Sequence, residues 1–331
     1  MRLGIIGPGL IWQKKHKVLL AKLAHTFTIT AFCASSERLK AETLHDFPNT
    51  TFDANLQTFL NRDTFDAVLV LTPIHLNAQT AVAALKSGKH VFLEKPMAHS
   101  LQGGREVLEA AQKYEKKVWL LEQAVYHPFC HELKNIIQEK QIGDLVYFDQ
   151  VIHSPIDNNS NDRGGYGKTD WRIQADYPLG HFFDGGPHQL AVLSSLFGYP
   201  EWIFATGVQL RPEFGAYDHI VIELGYSSKL RGILSHSSVL GEKHNSFTLW
   251  GTTGSISISD ECLVVDSYQG KNWQIDIPFS DPYAEMWNVL EAAVTNNQPP
   301  GYTLDQAWND LVALLAIDES IKTGKKINLK G

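Results

Sequence analysis

Two short apolar segments near the N-terminus constrain the fold more than any other feature of the chain. Arg2–Ile6 is an apolar strand, and FDAVLVL at 65–71 is a continuous apolar strand of the kind that is covered on both faces. Segments with helical spacing separate these strands from others at 27–33, 90–93 and 117–121. Strands that alternate with helices predict a parallel sheet with right-handed crossovers.

The pattern changes after a predicted helix near 131–139. The following strands are separated by turns, and several alternate apolar and polar residues, which is typical of an antiparallel sheet with two unlike faces. We predict these strands at 145–153, 202–210, 219–225, 231–238, 246–251 and 262–266. Helices return at 283–295 and 304–322, the second with a capping box of Thr303 and Gln306. A chain of 331 residues has room for these two domains.

Charge and cysteine content exclude several classes of protein. The formal net charge of -7 argues against a nucleic-acid binder, which would show a basic stripe. Three distant cysteines, Cys33, Cys130 and Cys262, form neither a metal pair nor a disulfide framework, and we interpret them as reduced thiols of a cytoplasmic protein. No apolar run approaches the roughly 18 residues of a membrane span. The histidines lack metal-ligand spacing, so we expect no metal site.

A glycine-containing turn follows the first predicted strand. In Gly7-Pro8-Gly9 the first glycine permits a tight turn, and the second lets the backbone approach a pyrophosphate at a helix N-terminus. We predict that this turn, with Leu10 and Ile11, binds a dinucleotide; the alternative is an ordinary Gly-Pro turn. A complete fingerprint would have Gly or Ala at position 12, where this chain has Trp12.

The end of the second strand bears on the choice of cofactor. An NAD site normally offers an acidic residue there to the ribose 2′-hydroxyl, but Ala34 occupies the expected position. Ser35, Ser36 and Arg38 are suited to hold a 2′-phosphate, so the sequence favours NADP over NAD. The serines are also suited to cap the following helix, and both roles are compatible.

Lys95 lies in the sequence Glu94-Lys95-Pro96, where the strand at 90–93 ends. At the carboxyl edge of a parallel sheet a lysine faces the cofactor crevice, and the following proline restricts its backbone. Such a lysine can assist proton transfer if its pKa is lowered. Taken alone, the motif is more often a loop that simply ends a strand.

Several motifs together resemble the Gfo/Idh/MocA family, the group of glucose–fructose oxidoreductase and inositol dehydrogenase. In chain order they are GPG at 7–9, TPIHLNA at 72–78, GKHVFLEKP at 88–96, IGDL at 142–145, DWR at 170–172, DGGPH at 184–188 and YTLDQAW at 302–308. The resemblance spans nearly the whole chain. It implies an α/β fold in which an N-terminal Rossmann dinucleotide-binding domain, 1–122, precedes an α+β domain, 123–331, with a large, open, mainly antiparallel sheet.

The resemblance also implies roles for individual residues. Lys95 corresponds to the family's active-site lysine, and Asp184 with His188 to its acid–base pair. Residues four apart on a helix share a face, so Asp184 could orient His188, which could take the hydroxyl proton as hydride leaves. The alternatives are a helix N-cap for Asp184 and a core position for His188. We expect the two motifs to converge on one cleft.

Further residues are expected around the cofactor and the substrate. Those implied on the cofactor side are Thr72, Pro73, His75, Glu94 and Gln123. Those implied on the substrate side are Lys95, Tyr126, Trp171, Arg172, Asp184 and His188. Arg172 is equally suited to a structural ion pair, and Tyr126 to packing.

The chain departs from the family pattern near the expected substrate pocket. Ala191 stands where the family frequently has a further Asp, and Pro178–Phe183 replaces a glycine-rich run. These departures bear on the identity of the substrate more than on the hydride chemistry. The polar, glycine-rich segment at 158–168 is compatible with a surface loop or with a lid beside the site.

The function predicted from these observations is hydride transfer between NADP, or NAD, and a secondary alcohol or ketone of a sugar or cyclic polyol. An enzyme of this kind needs no nucleic-acid or membrane partner. Because the open sheet exposes a second face, and family members often pack that sheet against another subunit, we expect a homodimer or homotetramer. The alternatives are a glycosidase that uses the cofactor in a redox cycle and a ligand sensor that binds dinucleotide without turnover.

Overall fold

A computed structural model describes residues 1–155, 177–212, 215–259, 261–268, 270 and 272–329 of the chain. It divides the chain into two compact units. The first comprises Met1–Gln123 and Asp281–Leu311, and the second comprises Ala124–Ser280 and Val312–Gly331. A C-terminal segment therefore belongs to the N-terminal unit. The functional division predicted at 122/123 stays a prediction.

The first unit contains a six-stranded parallel sheet. Its strands are β1 (Arg2–Ile6), β2 (Thr28–Cys33), β3 (Thr51–Asp53), β4 (Ala67–Val70), β5 (His90–Glu94) and β6 (Val118–Leu121). They are ordered β3-β2-β1-β4-β5-β6, so the chain winds outward in both directions from β1 and β4. This is the Rossmann order, and in such sheets the ligand crevice lies outside the carboxyl ends of the strands where the order reverses. The predicted Rossmann domain is confirmed; the three-residue strand β3 was not predicted.

Nine α-helices are present in the described part of the chain. They are α1 (Lys17–Lys22), α2 (Glu37–Asp46), α3 (Leu56–Leu60), α4 (Ile74–Lys86), α5 (Leu101–Lys113), α6 (Pro128–Gln138), α7 (Phe182–Phe197), α8 (Pro282–Thr295) and α9 (Leu304–Thr323). The predicted capping box of α9 is confirmed, because Gln306 N donates to Thr303 Oγ1 over 3.2 Å and Thr303 N donates to Gln306 Oε1 over 2.8 Å. Among these helices, none is long and apolar enough to cross a membrane.

Trp12 stands where a complete dinucleotide-binding fingerprint would have Gly or Ala, and the helix that follows β1 has an unusual first turn. The sequence predicts one helix from position 12, but residues Trp12–His16 form a π-helical turn that leads into α1. The indole is fully buried and packs on Phe32 of β2 and on Phe47, with ring centroids 5.7 and 6.0 Å apart. A widened turn accommodates a large side chain where closer helix–strand packing would need glycine.

The second unit contains a nine-stranded sheet. Its strands are β7 (Leu145–His153), β8 (Trp202–Val208), β9 (His219–Gly225), β10 (Arg231–Ser237), β11 (His244–Gly251), β12 (Gly254–Ile258), β13 (Cys262–Ser267), β14 (Asn272–Asp276) and β15 (Ile327–Asn328). The order is β14-β13-β12-β11-β7-β10-β9-β8-β15. All neighbouring pairs are antiparallel except β7 with β10. The predicted mainly antiparallel sheet is confirmed, with β12, β14 and β15 added.

The two faces of this sheet differ as the alternating sequence predicts. Phe148, Leu234 and Leu249 lie on one face and are fully buried. On the same side Phe182 of α7 packs on the ring of His236, with centroids 5.0 Å apart. The opposite face is only partly buried and carries Ile233, which is 37% exposed.

Two of the three cysteines are shielded from solvent. Cys33 and Cys130 are buried and Cys262 is half-buried, and all three are free thiols, as predicted. Burial raises the pKa of Cys33 to about 11 and that of Cys130 to about 12. Both are therefore neutral thiols near pH 7, which suits core residues better than nucleophiles.

Candidate active site

The Gly7-Pro8-Gly9 turn lies at the carboxyl end of β1, where the strand order of the sheet reverses. Gly7 has φ of +75°, and a Cβ there would lie 2.8 Å from the carbonyl oxygen of Leu71. The fold itself therefore requires glycine at position 7. At Gly9 the nearest atom to an added methyl group would be the Gly7 oxygen, 3.9 Å away. Packing within the protein therefore leaves space beside Gly9, as expected where a pyrophosphate approaches the backbone.

The two glycines give a paired prediction. Gly7→Ala is expected to lower the free energy of unfolding by at least about 1–2 kcal/mol, since alanine is strained at positive φ. Gly9→Ala is expected to leave the melting temperature unchanged and to weaken dinucleotide binding about 10-fold or more, because the methyl group blocks contacts to the pyrophosphate. Thermal unfolding and cofactor titration of both variants check this. Equal cofactor affinity in Gly9→Ala and in the parent would refute a pyrophosphate site at this turn.

The residues predicted to select NADP over NAD follow the end of β2. Ser36 caps α2, because its Oγ accepts from Leu39 N over 3.4 Å. Ser35 is exposed, and the exposed Arg38 guanidinium bonds Glu42 Oε1 at 2.6 Å. Exposed pairs of this kind contribute little to stability, so the guanidinium can exchange partners.

An acidic residue near this strand end was not considered from the sequence. Asp53 of β3 pairs with Cys33 of β2 in the sheet register and is 8% exposed. Arg62 holds its carboxylate with two bonds, Nε to Oδ2 at 2.5 Å and Nη2 to Oδ1 at 2.9 Å. A bidentate pair of this kind already occupies both carboxylate oxygens of Asp53.

Hydrogen bonds connect two of the predicted motifs within the first unit. The buried Asn77 of α4 donates to the carbonyl oxygens of Glu94 and Pro96, over 3.0 and 2.9 Å. Thr72 Oγ1 in turn donates to Asn77 Oδ1 over 2.9 Å. The TPIHLNA segment therefore holds the backbone on both sides of Lys95. Asn77 has this role although the sequence did not single it out.

The other residues predicted around the cofactor lie at the same edge of the first sheet. Pro73 is the N-cap residue of α4, and His75 is exposed in its first turn. Glu94 ends β5 and is buried, and Lys95 follows it half-buried. Gln123 begins a 3-10 turn just after β6.

In the second unit, α7 carries the predicted acid–base pair. The helix begins at Phe182 with His181 at the N-cap, so Asp184 is the third helical residue and not the cap. His188 lies one turn further along, and residues four apart share a helix face. Both side chains are half-buried, whereas their helix neighbours Phe183, Pro187 and Ala191 are buried. The assignment of Asp184 and His188 as an acid–base pair stays a prediction.

Several of the residues that depart from the family pattern near the expected substrate pocket are buried. Ala191 is fully buried, so an aspartate there would lose its hydration without an evident gain. Phe182 and Phe183 are core residues, with 1% and 0% of their surface exposed. Tyr126 is half-buried at the end of the 3-10 turn. Trp171, Arg172 and the segment at 158–168 lie outside the described residues.

Comparison with known proteins decides the family. The family profile described as the oxidoreductase family with an NAD-binding Rossmann fold matches residues 1–121. The profile of the GFO/IDH/MocA C-terminal domain matches residues 130–257. The chain belongs to the Gfo/Idh/MocA family of oxidoreductases.

Proteins similar to this chain come from bacteria and yeast. An oxidoreductase structure from Thermotoga maritima has a TM-score of 0.91 and 28% identity, covering 99% of this chain and 98% of its own. The uncharacterised Saccharomyces cerevisiae protein YMR315W is 28% identical, over 78% of this chain and 74% of its own length. The scyllo-inositol 2-dehydrogenase (NADP(+)) IolW of Bacillus subtilis is 26% identical, over 84% of this chain and 76% of its own.

Proposed function

We propose that this Gfo/Idh/MocA protein transfers a hydride between NADP and a CH–OH group of a sugar or cyclic polyol. The position of Lys95 carries the proposal. It follows β5 at the edge where the glycine turn ends β1, and Asn77 binds the carbonyl groups on both sides of it. A fixed backbone limits the positions that the Lys95 side chain can take, which suits a residue that must contact one substrate atom.

The residues at this edge fit a dinucleotide. Gly9 leaves space for a close approach, and the backbone N–H groups that begin the following helix attract a phosphate. When bound, the nicotinamide supplies the hydride chemistry. The protein's own task is then to hold the carbinol carbon in place and to move one proton.

In this proposal Asp184, His188 and Lys95 perform the proton transfer. Asp184 orients His188 and stabilises its positive charge, and His188 takes the hydroxyl proton. The Lys95 ammonium donates to the same substrate oxygen, which lowers the cost of the charge that develops there. Cofactor binding falls to residues 1–122 and substrate binding to residues 123–331, with Tyr126, Trp171 and Arg172 on the substrate side.

Two observations support NADP over NAD. Arg38 is an exposed guanidinium in the first turn of the helix after β2, and its present partner is a single exposed carboxylate. The carboxylate of Asp53, beside the same strand end, is already held by Arg62. The name of the relative IolW also includes NADP(+).

We expect Arg38→Ala to raise the KM for NADP by about 10–100-fold and to leave the KM for NAD nearly unchanged, because a charge-assisted bond to the 2′-phosphate is lost. Initial rates with both cofactors measure the effect. Lys40→Ala, on the same helix, is the control for general loss of positive charge. A KM for NADP that does not respond to Arg38→Ala would contradict the assignment.

Nicotinamide absorbance provides the direct test of function. Purified protein is mixed with oxidised NADP or NAD and a panel of inositols and aldoses, and separately with the reduced cofactors and the corresponding keto forms. Oxidation of one class of polyol, with stoichiometric reduction of the cofactor, supports the proposal. Release of an aglycone without net reduction would point instead to the glycosidase, and cofactor binding without any turnover would point to the sensor.

We propose further that a second copy of the chain covers the open face of the nine-stranded sheet. On that face Tyr147 and Trp250 pair across β7 and β11, with ring centroids 5.3 Å apart, and Ile233 is 37% exposed. A large, partly apolar sheet face is typical of a buried interface. Light scattering of Ile233→Lys should show dissociation to a smaller species, whereas Val18→Lys, at another exposed apolar residue, should not. An unchanged mass in Ile233→Lys would contradict this interface.

A further inference from the structure

A chain of buried hydrogen bonds in the first unit ends on the backbone of Lys95. The indole Nε1 of Trp287 donates to His16 Nδ1 over 3.0 Å. His16 Nε2 lies 3.0 Å from Glu94 Oε1, and Glu94 Oε2 accepts from Lys95 N over 3.1 Å. Trp287 and His16 are fully buried, and the Glu94 side chain is 9% exposed. Solvent therefore does not compete for these bonds.

The donor at one end fixes the direction of every bond in this chain. An indole N–H can only donate, so His16 Nδ1 must be the acceptor. The proton of the neutral imidazole then lies on Nε2, which donates to Glu94 Oε1. A carboxylate with a donor on each oxygen cannot rotate without breaking one of the two bonds. Glu94 is consequently held in the orientation that accepts from the Lys95 amide.

Trp287 comes from α8, far along the chain, and its ring is part of the core. It packs on Phe27 and Phe92, with ring centroids 5.5 Å away in both cases. Tyr283 of the same helix packs against His16 at 5.8 Å. Aromatic packing therefore fixes both the donor and the imidazole before any hydrogen bond is considered. The arrangement is rigid at each step from α8 to Lys95.

We propose that His16 and Trp287 are positioning residues for Lys95. They orient the Glu94 carboxylate, which fixes the Lys95 backbone on its N–H side, while Asn77 fixes the flanking carbonyls. The inference rests on the proposed function, in which Lys95 meets the substrate oxygen. A purely structural alternative is that the bonds only hold α8 on the core. The two interpretations differ in whether the Lys95 backbone responds to a change at Trp287, the other end of this series of hydrogen bonds.

Two tryptophan substitutions separate these readings without any turnover. Trp287→Phe and Trp119→Phe each remove an indole that packs on Phe92, with centroid distances of 5.5 and 4.6 Å. The two ring nitrogens of His16 bond Glu94 and Trp287, so Trp119 packs on Phe92 without bonding His16. Trp119→Phe is therefore the matched control. We expect the Lys95 amide resonance to shift in Trp287→Phe and to stay in place in Trp119→Phe. Nitrogen shifts of His16 should show the Nε2–H tautomer in the parent.

Kinetics with two replacements of His16 test the consequence for catalysis. Glutamine can accept from the indole and donate to Glu94, whereas leucine can do neither. We expect His16→Leu to lower kcat by about 10–100-fold at nearly constant KM for the cofactor, since small displacements of a reacting group cost this much. His16→Gln should stay within about threefold of the parent.

Each result supports or overturns the inference. The inference would be overturned if the Lys95 amide resonance shifted equally in both tryptophan variants, or if His16 were the Nδ1–H tautomer. A His16→Leu enzyme with the parental kcat would also overturn it. If the parent itself turns over no polyol, the proposed function fails, and the amide and tautomer measurements still decide whether this chain of bonds controls Lys95.

Discussion

Lys95→Ala is expected to lower kcat/KM by about 10²–10⁴-fold while the protein stays folded. The side chain is half-buried, and an ammonium with three donors is lost from the substrate oxygen. The backbone bonds that hold this position remain, because Lys95 N still donates to Glu94 and Asn77 still donates to the neighbouring carbonyls. The defect should therefore appear in the chemical step, with little change in the affinity for the cofactor.

Steady-state rates, cofactor titration and thermal unfolding of the same preparation check this expectation. Lys86→Ala is the matched control, since Lys86 is an exposed lysine near the end of α4. Its rates and melting temperature should equal those of the parent. If Lys95→Ala kept a third or more of the parental kcat, Lys95 would have no part in proton transfer.

Local patterns were enough to predict most of the first sheet. Apolar strands of four or more residues, such as β1 and β4, are recognisable because both faces of a parallel sheet are buried. Once the strands are recognised, the motifs at their ends can be placed too, because the end of a strand lies at the edge of the sheet. Strand β3 was missed because three residues give too short a pattern to be distinguished from a turn.

Sequence patterns were weaker where a segment contradicts its local preferences. Strand β12 has the sequence GSISI and was passed over because glycine and serine are typical of turns. Strand β14, NWQID, lies at the sheet edge with few apolar residues. Helix α7 contains Gly185, Gly186 and Pro187, all poor helix formers. It forms because residues such as Phe182 and Leu190 bury an apolar stripe.

Tertiary contacts of the candidate site were beyond any local pattern. His16 lies in a run of basic residues, KKHK, that resembles a solvated helix face. Its partners Glu94 and Trp287 are 78 and 271 residues away in sequence. Asn77 lay within a recognised motif, but the sequence does not distinguish it from the other polar residues of α4, such as Gln79 and Thr80. Only the folded chain shows that these side chains meet around Lys95.

His188→Asn is expected to lower kcat by about 10²–10⁴-fold, the usual contribution of a general base. Asparagine cannot take a proton near neutral pH, but it is close to histidine in size and tolerates a half-buried helix position. Asp184→Asn removes the carboxylate that orients His188, and we expect a loss of about 10²-fold. Gln189→Asn, next to His188 on the same half-buried part of α7, is the control and should keep the parental rate.

The double variant Asp184→Asn with His188→Asn gives the sharper measurement. If Asp184 acts through His188, removing it from an enzyme that already lacks the imidazole should cost nothing more, and kcat should stay within about threefold of His188→Asn. Two residues that acted on the substrate independently would multiply their losses. The rates of the four enzymes in this cycle therefore distinguish a coupled pair on α7 from two separate polar residues. Multiplied losses would remove Asp184 from its orienting role and leave His188 as an isolated base.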